Sequence, residues 1–596
     1  MKNSLQTWGK LTRPNPVCGK IILIFALALC GVELRGDTVI NSVHNLAASG
    51  PGAIKSATEK NVCVFCHTVH KVNGVTPLWN HSMSSVSNYV VYSSARLQSL
   101  NLTVPQPNGS SRLCLSCHDG TVALGSINSS VTPLALTQNG VVITTMPAGP
   151  NNVGTDLSND HPVSMDYDAA AQVDSGLQPR AGLNPLVKLE PVNGVYCVQC
   201  TSCHNPHDNQ YGNFLVMDNT GSVLCTTCHQ LSQWAVSQHA VSSVAAAPTV
   251  RAKLAKSQNA AGSKLAAKAV LTTMSALGCE NCHINHQSGS KRHLLQSDVP
   301  EQNCLNCHDG RTAKKNLAAD FQKPSVHPIT LNSRMHSPTE DPVNPKTRHV
   351  VCADCHNAHA TTDKAAVAPY ASGALANLTG VTDGGGLIKP LQKEYELCFR
   401  CHADSIARGP ATVSRQFPET NTRLQFSTVN QSFHPVERPG KNLSSVPSLI
   451  APWTVNSQMY CTDCHNSDAA SNAGGTGANG PHGSIFAPIL ERNLTITDNQ
   501  PESNFAYALC YKCHERSKVL SNQSFRYHTS HVVDDKAACT TCHDSHGVAN
   551  APHLINFNTT YVTPSSTGQL NYTSTGNYRG VCTLTCHGKD HKNTGY

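Results

Sequence analysis

Twenty-two of the chain's 27 cysteines fall into eleven copies of one pattern, C-x-x-C-H. The copies begin at Cys63, Cys114, Cys200, Cys225, Cys279, Cys304, Cys352, Cys398, Cys461, Cys510 and Cys539. Their second cysteines are Cys66, Cys117, Cys203, Cys228, Cys282, Cys307, Cys355, Cys401, Cys464, Cys513 and Cys542. A twelfth copy, Cys582-Thr-Leu-Thr-Cys586-His587, has three intervening residues, which strains the geometry of a double attachment. The pattern is the attachment signature of c-type haem. Two thiols add across the porphyrin vinyl groups, and the histidine that follows reaches the iron. Those proximal histidines are His67, His118, His204, His229, His283, His308, His356, His402, His465, His514, His543 and His587. Zinc half-sites do not require a histidine after every second cysteine, and neither does a disulfide framework; here all twelve have one. Cys18, Cys30 and Cys197 are left over. Cys197 offers a competing pair with Cys200, but only Cys200 and Cys203 precede a histidine.

Each iron needs a second axial group, and 19 histidines remain for the purpose against eight methionines. Ligation by two histidines is therefore expected, and it gives lower potentials than Met/His. Three classes of distal candidate stand out. His70, His207, His286, His359 and His546 each lie three residues beyond a proximal histidine, a spacing that suits the iron of a neighbouring haem. His161, His327 and His434 each precede proline, which favours an extended approach from a loop. His44, His81, His239, His482, His531 and His591 sit in short distinctive contexts. His293, His336, His349, His528 and His553 read as solvated or supporting groups, with His336 and His528 in reserve.

The elements that must carry these residues are short. Aromatic residues make up only 5% of the chain, too few to fill a large core. The expected fold is mostly irregular, with short helices around the motifs and little β structure, wrapped on a stacked chain of about twelve covalent haem c groups. The motifs also repeat in order. CVFCHTVH, CLSCHDG, His161-Pro162, CTSCHNPH and LCTTCH are followed by CENCHINH, CLNCHDG, His327-Pro328, CADCHNAH and LCFRCH. A third pass runs through His434-Pro435, CTDCHNSD, LCYKCH, CTTCHDSH and the widened motif. This gives three tetrahaem groups: residues 37–244, then 245–410 with a linker at its start, then 411–596. Residues 245–276 suit a partly helical linker, and 361–390 and 466–480 read as loops.

Several of these strings resemble the multihaem c-type cytochromes with doubled motifs found in metal-reducing bacteria. They are His44-Asn-Leu, CVFCHTVH, Pro77-Leu-Trp-Asn-His81, CLSCHDGTVA, His161-Pro-Val, and CTSCHNPH with Phe214-Leu215. Asp37 to about His239 is similar to the tetrahaem cytochromes that polymerise into extracellular filaments, and the remainder resembles larger dodecahaem relatives. The resemblance implies bis-histidine haems stacked in parallel and perpendicular pairs. It also implies electron transfer without catalysis, to metal oxides, electrodes or other cytochromes. Expected partners are periplasmic or outer-membrane cytochromes, a porin, or further copies in a homopolymer filament. The competing class is a multihaem oxidoreductase of the nitrite or hydroxylamine type. Such an enzyme needs one open iron, yet every motif here ends in histidine.

Lys2, Lys10, Arg13 and Lys20 precede the apolar run Ile21 to Val32, the pattern of a signal peptide over residues 1–36 with cleavage near Gly36. Leu29 is bulky where lipidation at Cys30 wants a small residue. Export agrees with haem attachment outside the cytoplasm, and the expected location is the outer-membrane surface or the extracellular space, with the periplasm next. The formal charge of +7 does not point to nucleic acid. A ferric bis-histidine haem carries about −1 once its propionates are counted, so twelve add about −12. The holoprotein is therefore expected to bind an anion exchanger at pH 8, with its isoelectric point well below that of the haem-free chain; isoelectric focusing of the two forms checks this.

Overall fold

The computed structural model describes residues 38–70, 78–250, 272–329, 350–405, 411–441 and 446–596. The signal segment with Cys18 and Cys30, most of the expected linker at 251–271, and His336 and His349 lie outside the described residues. Among the described residues the longest helix, Gly109–His118, has ten residues, and no helix is long and apolar enough to cross a membrane. Most helices are single turns, and most strands are two- or three-residue pairs joined by loop. The fold is irregular and low in β structure.

The single turns fall on the motifs. In nine of the eleven regular motifs the histidine N–H donates to the carbonyl of the first cysteine at 2.8–3.0 Å. The other two lie inside the helices Gly109–His118 and Glu394–His402. An acidic or hydroxyl side chain at the third helical position closes several of these turns by accepting from the N–H at the turn's entry. Asp354 accepts from Val351 at 2.8 Å, Asp463 from Tyr460 at 2.7 Å, and Ser202 from Gln199 at 3.0 Å. The histidine then leaves the helix in extended conformation, with φ −120° at His204 and −135° at His356. One turn brings the two thiols to one edge and swings the imidazole away from them.

The hydrophobic clusters are small and contain the motif cysteines. Ala47, Phe65, Leu124 and Leu136 pack with Cys66 and Cys117. Val187, Met217 and Leu224 pack with Cys203 and Cys228. Contacts also cross the sequence boundaries near 245 and 411. His161 N–H donates to Asn285 O at 2.8 Å, and Cys279 N–H to Ser222 Oγ at 2.8 Å. Ser325–Val326 pairs with Gly483–Ser484, and Lys323 Nζ bridges Asp320 at 2.7 Å and Asp468 at 2.8 Å. The expected loop at 361–390 contains a hairpin of Gly380–Val381 with Leu387–Ile388.

One part departs from the expectation. Val562–Thr563, Asn571–Gly576, Arg579–Cys586 and Lys589–Gly595 form an antiparallel four-stranded sheet. The widened motif lies in its central strand rather than on a helical turn. The cause is local: Val581, Thr583 and Thr585 are β-branched and alternate with Cys582, Leu584 and Cys586, a strand pattern rather than a helical one. The sheet packs Leu584 on Phe557, Val562 and Cys542.

Arg415 ties this end together. Its Nη1 donates to Thr540 O at 2.7 Å and Asn556 O at 2.8 Å, its Nη2 donates to His543 O at 3.0 Å, and Asp544 lies beside it. Arg415→Ala is expected to destabilise the C-terminal third by about 3 kcal/mol, because buried acceptors lose their donor. The readout is cleavage within 530–560 under limited proteolysis that leaves the wild type intact.

Candidate haem sites

The motif histidines are held from behind. His204 Nδ1 lies 2.8 Å from Asn213 O, His283 Nδ1 2.7 Å from His293 O, and His543 Nδ1 3.0 Å from His553 O. His118 meets Asn151 O at 2.6 Å, His356 meets Ala374 O at 3.1 Å, and His465 meets Pro488 O at 3.0 Å. In each case the Nδ1–H donates to a carbonyl, leaving Nε2 as the bare lone pair that a metal takes. A bulky residue in left-handed conformation follows four of these carbonyls: Phe214 at φ 57°, Leu294 at 53°, Leu554 at 60° and Ile489 at 52°. Such backbone is strained outside glycine, and here it aims a carbonyl at an imidazole. His293 and His553, expected as solvated or supporting residues, serve through their carbonyls.

Across from each of nine motif histidines stands a second histidine at nearly constant spacing. Ring centres are 5.9 Å apart for His67 and His207, and 6.2 Å for His44 with His118, His204 with His286, His283 with His359, His327 with His402, and His465 with His546. They are 6.1 Å apart for His356 and His482, and 6.3 Å for His161 with His229 and His239 with His308. His531 and His591 form a tenth pair at 6.3 Å. Two imidazoles bound to opposite sides of one metal at about 2.0–2.1 Å put their centres roughly 6 Å apart. The donor set therefore fits a bis-histidine haem iron. His434 is the strongest charge acting on His514, and His543 the strongest acting on His528, so these four rings group at the remaining regular motifs. His528, held in reserve by the sequence, is thereby placed beside a motif histidine.

The pairs follow a rule. A histidine three residues beyond a proximal one faces the motif before the previous one: His207 faces the first, His286 the third, His359 the fifth and His546 the ninth. The motif at Cys461 carries Asp468 at that place, and His482 faces His356 instead. His161 and His327, each before proline, face the fourth and eighth motifs, and His434, also before proline, is the strongest charge acting on His514 of the tenth. Three expected residues fall elsewhere. His70 is exposed and faces no other ring among the described residues. His81 is buried in the core, with Nδ1 2.9 Å from Ser82 O and no facing motif histidine among the described residues. His587, expected at the twelfth iron, lies with Nε2 2.6 Å from Asp498 Oδ2.

Burial, aided by neighbouring imidazoles, pushes His161, His204, His359, His402, His482 and His546 down to about 4. They are neutral at physiological pH, the state that binds a metal. His286 moves up, because Asp160 at 3.1 Å outweighs its burial. The thiols are buried too: Cys66 rises to about 11, and Cys117, Cys203 and Cys355 to about 12. Cys200 and Cys279 move the other way, drawn down to about 6 and about 7 by Cys114 and Cys225 beside them. Cys197 is buried in the strand Val195–Cys197, apart from the helical turn of Cys200 and Cys203.

The cysteines of successive motifs meet in alternation. First cysteines lie beside one another at Cys114 and Cys200, Cys225 and Cys279, Cys304 and Cys352, Cys398 and Cys461, and Cys510 and Cys539. Second cysteines approach one another at Cys66 and Cys117, Cys203 and Cys228, Cys282 and Cys307, Cys355 and Cys401, Cys464 and Cys513, and Cys542 and Cys586. The cysteines of successive motifs thus act on one another along the chain, and the alternation continues across 245 and 411.

The family model for the doubled CXXCH motif matches residues 191–232. No curated protein matches the chain. The match covers the motifs at Cys200 and Cys225, and the doubled motif is that of multihaem c-type cytochromes. The CXXCH motifs of this chain mark covalently bound haem c.

Glu394 sits where the motifs at Cys398 and Cys461 meet, accepting from Thr462 N–H at 3.1 Å and Thr462 Oγ1–H at 2.9 Å. Burial pushes its carboxyl up from 4.5 to about 7. A raised folded-state value means that the stability linked to this group is full below about pH 4.5 and is lost as pH rises through 7. Glu394→Gln is expected to flatten that part of the pH profile, measured as urea midpoints at a series of pH values.

Proposed function

We propose that this protein is an electron conductor, carrying electrons along a row of haem c groups held by paired histidines. The observation that carries the proposal is the constant separation of about 6 Å in ten histidine pairs. A bound haem supplies a one-electron iron couple. The chain's own residues fix everything else. Backbone carbonyls orient the imidazoles, neutral histidines fill both faces of each site, and alternating cysteine contacts keep neighbouring groups close. Sites with both faces taken favour transfer over substrate binding, which an oxidoreductase with an open iron would need. The unbroken alternation supports one row through all three sequence groups.

Export to the outer-membrane surface or beyond belongs to the same proposal, supported by the basic and apolar N-terminal segment. So do acceptors such as metal oxides, electrodes or other cytochromes, and donors among periplasmic and outer-membrane cytochromes, a porin included; the resemblance supports these. It also supports copies joined in a filament. His44 and His591, the terminal histidines that copies would share, each face a histidine within the chain.

Low-temperature EPR of the oxidised holoprotein is expected to show low-spin iron throughout and no response to nitrite or hydroxylamine. His359→Ala should open the fifth site and turn one haem high-spin, with exogenous imidazole restoring it. A high-spin signal in the wild type that responds to nitrite would overturn the proposal in favour of an enzyme.

A further inference from the structure

The widened motif keeps two cysteines and a histidine but not the helical turn that arranges them elsewhere. Cys582 and Cys586 lie on the strand Arg579–Cys586, on one face with buried Leu584 between them. Four residues of strand span about 13 Å, against roughly 5 Å of rise for the three residues of a helical turn. His587 and Gly588, at φ 50° and 74°, form the two-residue turn that reverses the chain, and Cys586 pairs with Lys589 across it. Two consecutive left-handed residues are what a tight hairpin with a right-handed twist demands. The turn carries the His587 ring away from the cysteines to Asp498.

That contact occupies the nitrogen that matters. Six regular motif histidines direct Nδ1 to a carbonyl, which leaves Nε2 as the bare nitrogen, whereas His587 spends Nε2 on Asp498 Oδ2 at 2.6 Å. Asp498 is buried. Its other oxygen accepts from Ala538 N–H at 2.9 Å and from the Thr541 hydroxyl, at the start of the motif at Cys539. Turning His587 toward an iron would strip a buried carboxylate of one partner.

A different histidine shares the sheet face that carries the two cysteines. His591, on the returning strand, is the cross-strand partner of Leu584. Directly opposed residues share a face of the sheet, so His591 projects between Cys582 and Cys586. Its ring centre lies 6.3 Å from that of His531 at an interplanar angle of 29°, within the range of the nine pairs built on regular motif histidines. His531 is oriented from behind like those residues, with Nδ1 2.8 Å from Tyr527 O.

We propose that His531 and His591 hold the iron of a twelfth haem, and that His587 is a positioning residue pinning the hairpin turn to Asp498. This rests on the haem-row reading and names, at its last site, ligands that the motif does not nominate. The test uses the full-length holoprotein, with haem counted by pyridine haemochrome and spin state read by low-temperature EPR. Expected are twelve haems, all low-spin, in the wild type and in His587→Ala. His531→Ala and His591→Ala should each turn one haem of the twelve high-spin, reversed by exogenous imidazole. His591→Met should keep that haem low-spin and add a methionine–iron charge-transfer band, which a misfolded variant would not produce. Eleven haems in the wild type would overturn the proposal, as would a high-spin haem in His587→Ala with none in His591→Ala. High-spin iron at several sites of the wild type would instead sink the broader row of bis-histidine haems.

Discussion

An imidazole is best poised to offer a metal one nitrogen when the other is engaged, and at six motif histidines of this protein the engagement is a hydrogen bond from Nδ1 to a backbone carbonyl. That bond fixes the tautomer, the tilt of the ring and the direction of the free lone pair together. It also governs the surrounding backbone. Left-handed Phe214, Leu294, Ile489 and Leu554 are conformations that bulky residues avoid, and each sits directly after a carbonyl aimed at a motif histidine. The strain is offset locally by burial of the side chain, as with Phe214 and Leu294. The chain is built outward from these carbonyl–imidazole contacts, with secondary structure supplying little more than the turn that joins two thiols to one ring.

This explains why clusters of a few hydrophobic residues suffice. Six of the seven clusters among the described residues take in motif cysteines, so the apolar surface that completes them belongs to the macrocycles those cysteines carry. A chain with so few aromatic residues has no independent core to fall back on. Polar contacts such as Lys323 with Asp320 and Asp468, or Arg415 with three carbonyls, fasten one segment to another where packing is thin.

Much of the candidate site was legible in the sequence, because covalent attachment fixes residue type and spacing rigidly. The eleven regular motifs could be read from the chain, as could His161 and His327 before proline and His207, His286, His359 and His546 three residues past a motif, all rings that face a motif histidine; His70 faces none among the described residues. What could not be read was direction. Nothing in CTSCHNPH says that His207 faces His67 rather than a closer motif, since that depends on how turns stack. His81 was misplaced because its context, Trp-Asn-His, describes a buried loop as well as a ligand. The sheet at the end was legible in principle: Val-Cys-Thr-Leu-Thr-Cys alternates β-branched residues, and a helical turn would not. The motif's familiarity hid the alternation. His528 had no distinguishing neighbour at all.

The order of partners along the chain has a consequence in time. His44, His161, His239, His327 and His434 come before the motifs they face, whereas His207, His286, His359, His482 and His546 come after theirs. A chain emerging N-terminus first therefore meets the second, fourth, sixth, eighth and tenth sites with both imidazoles already present. The first, third, fifth, seventh and ninth sites wait, half-furnished, for a segment still to arrive. Maturation becomes a relay in which every waiting site is closed by a later stretch of the chain, so a truncation damages the site upstream of the cut as well as those it removes.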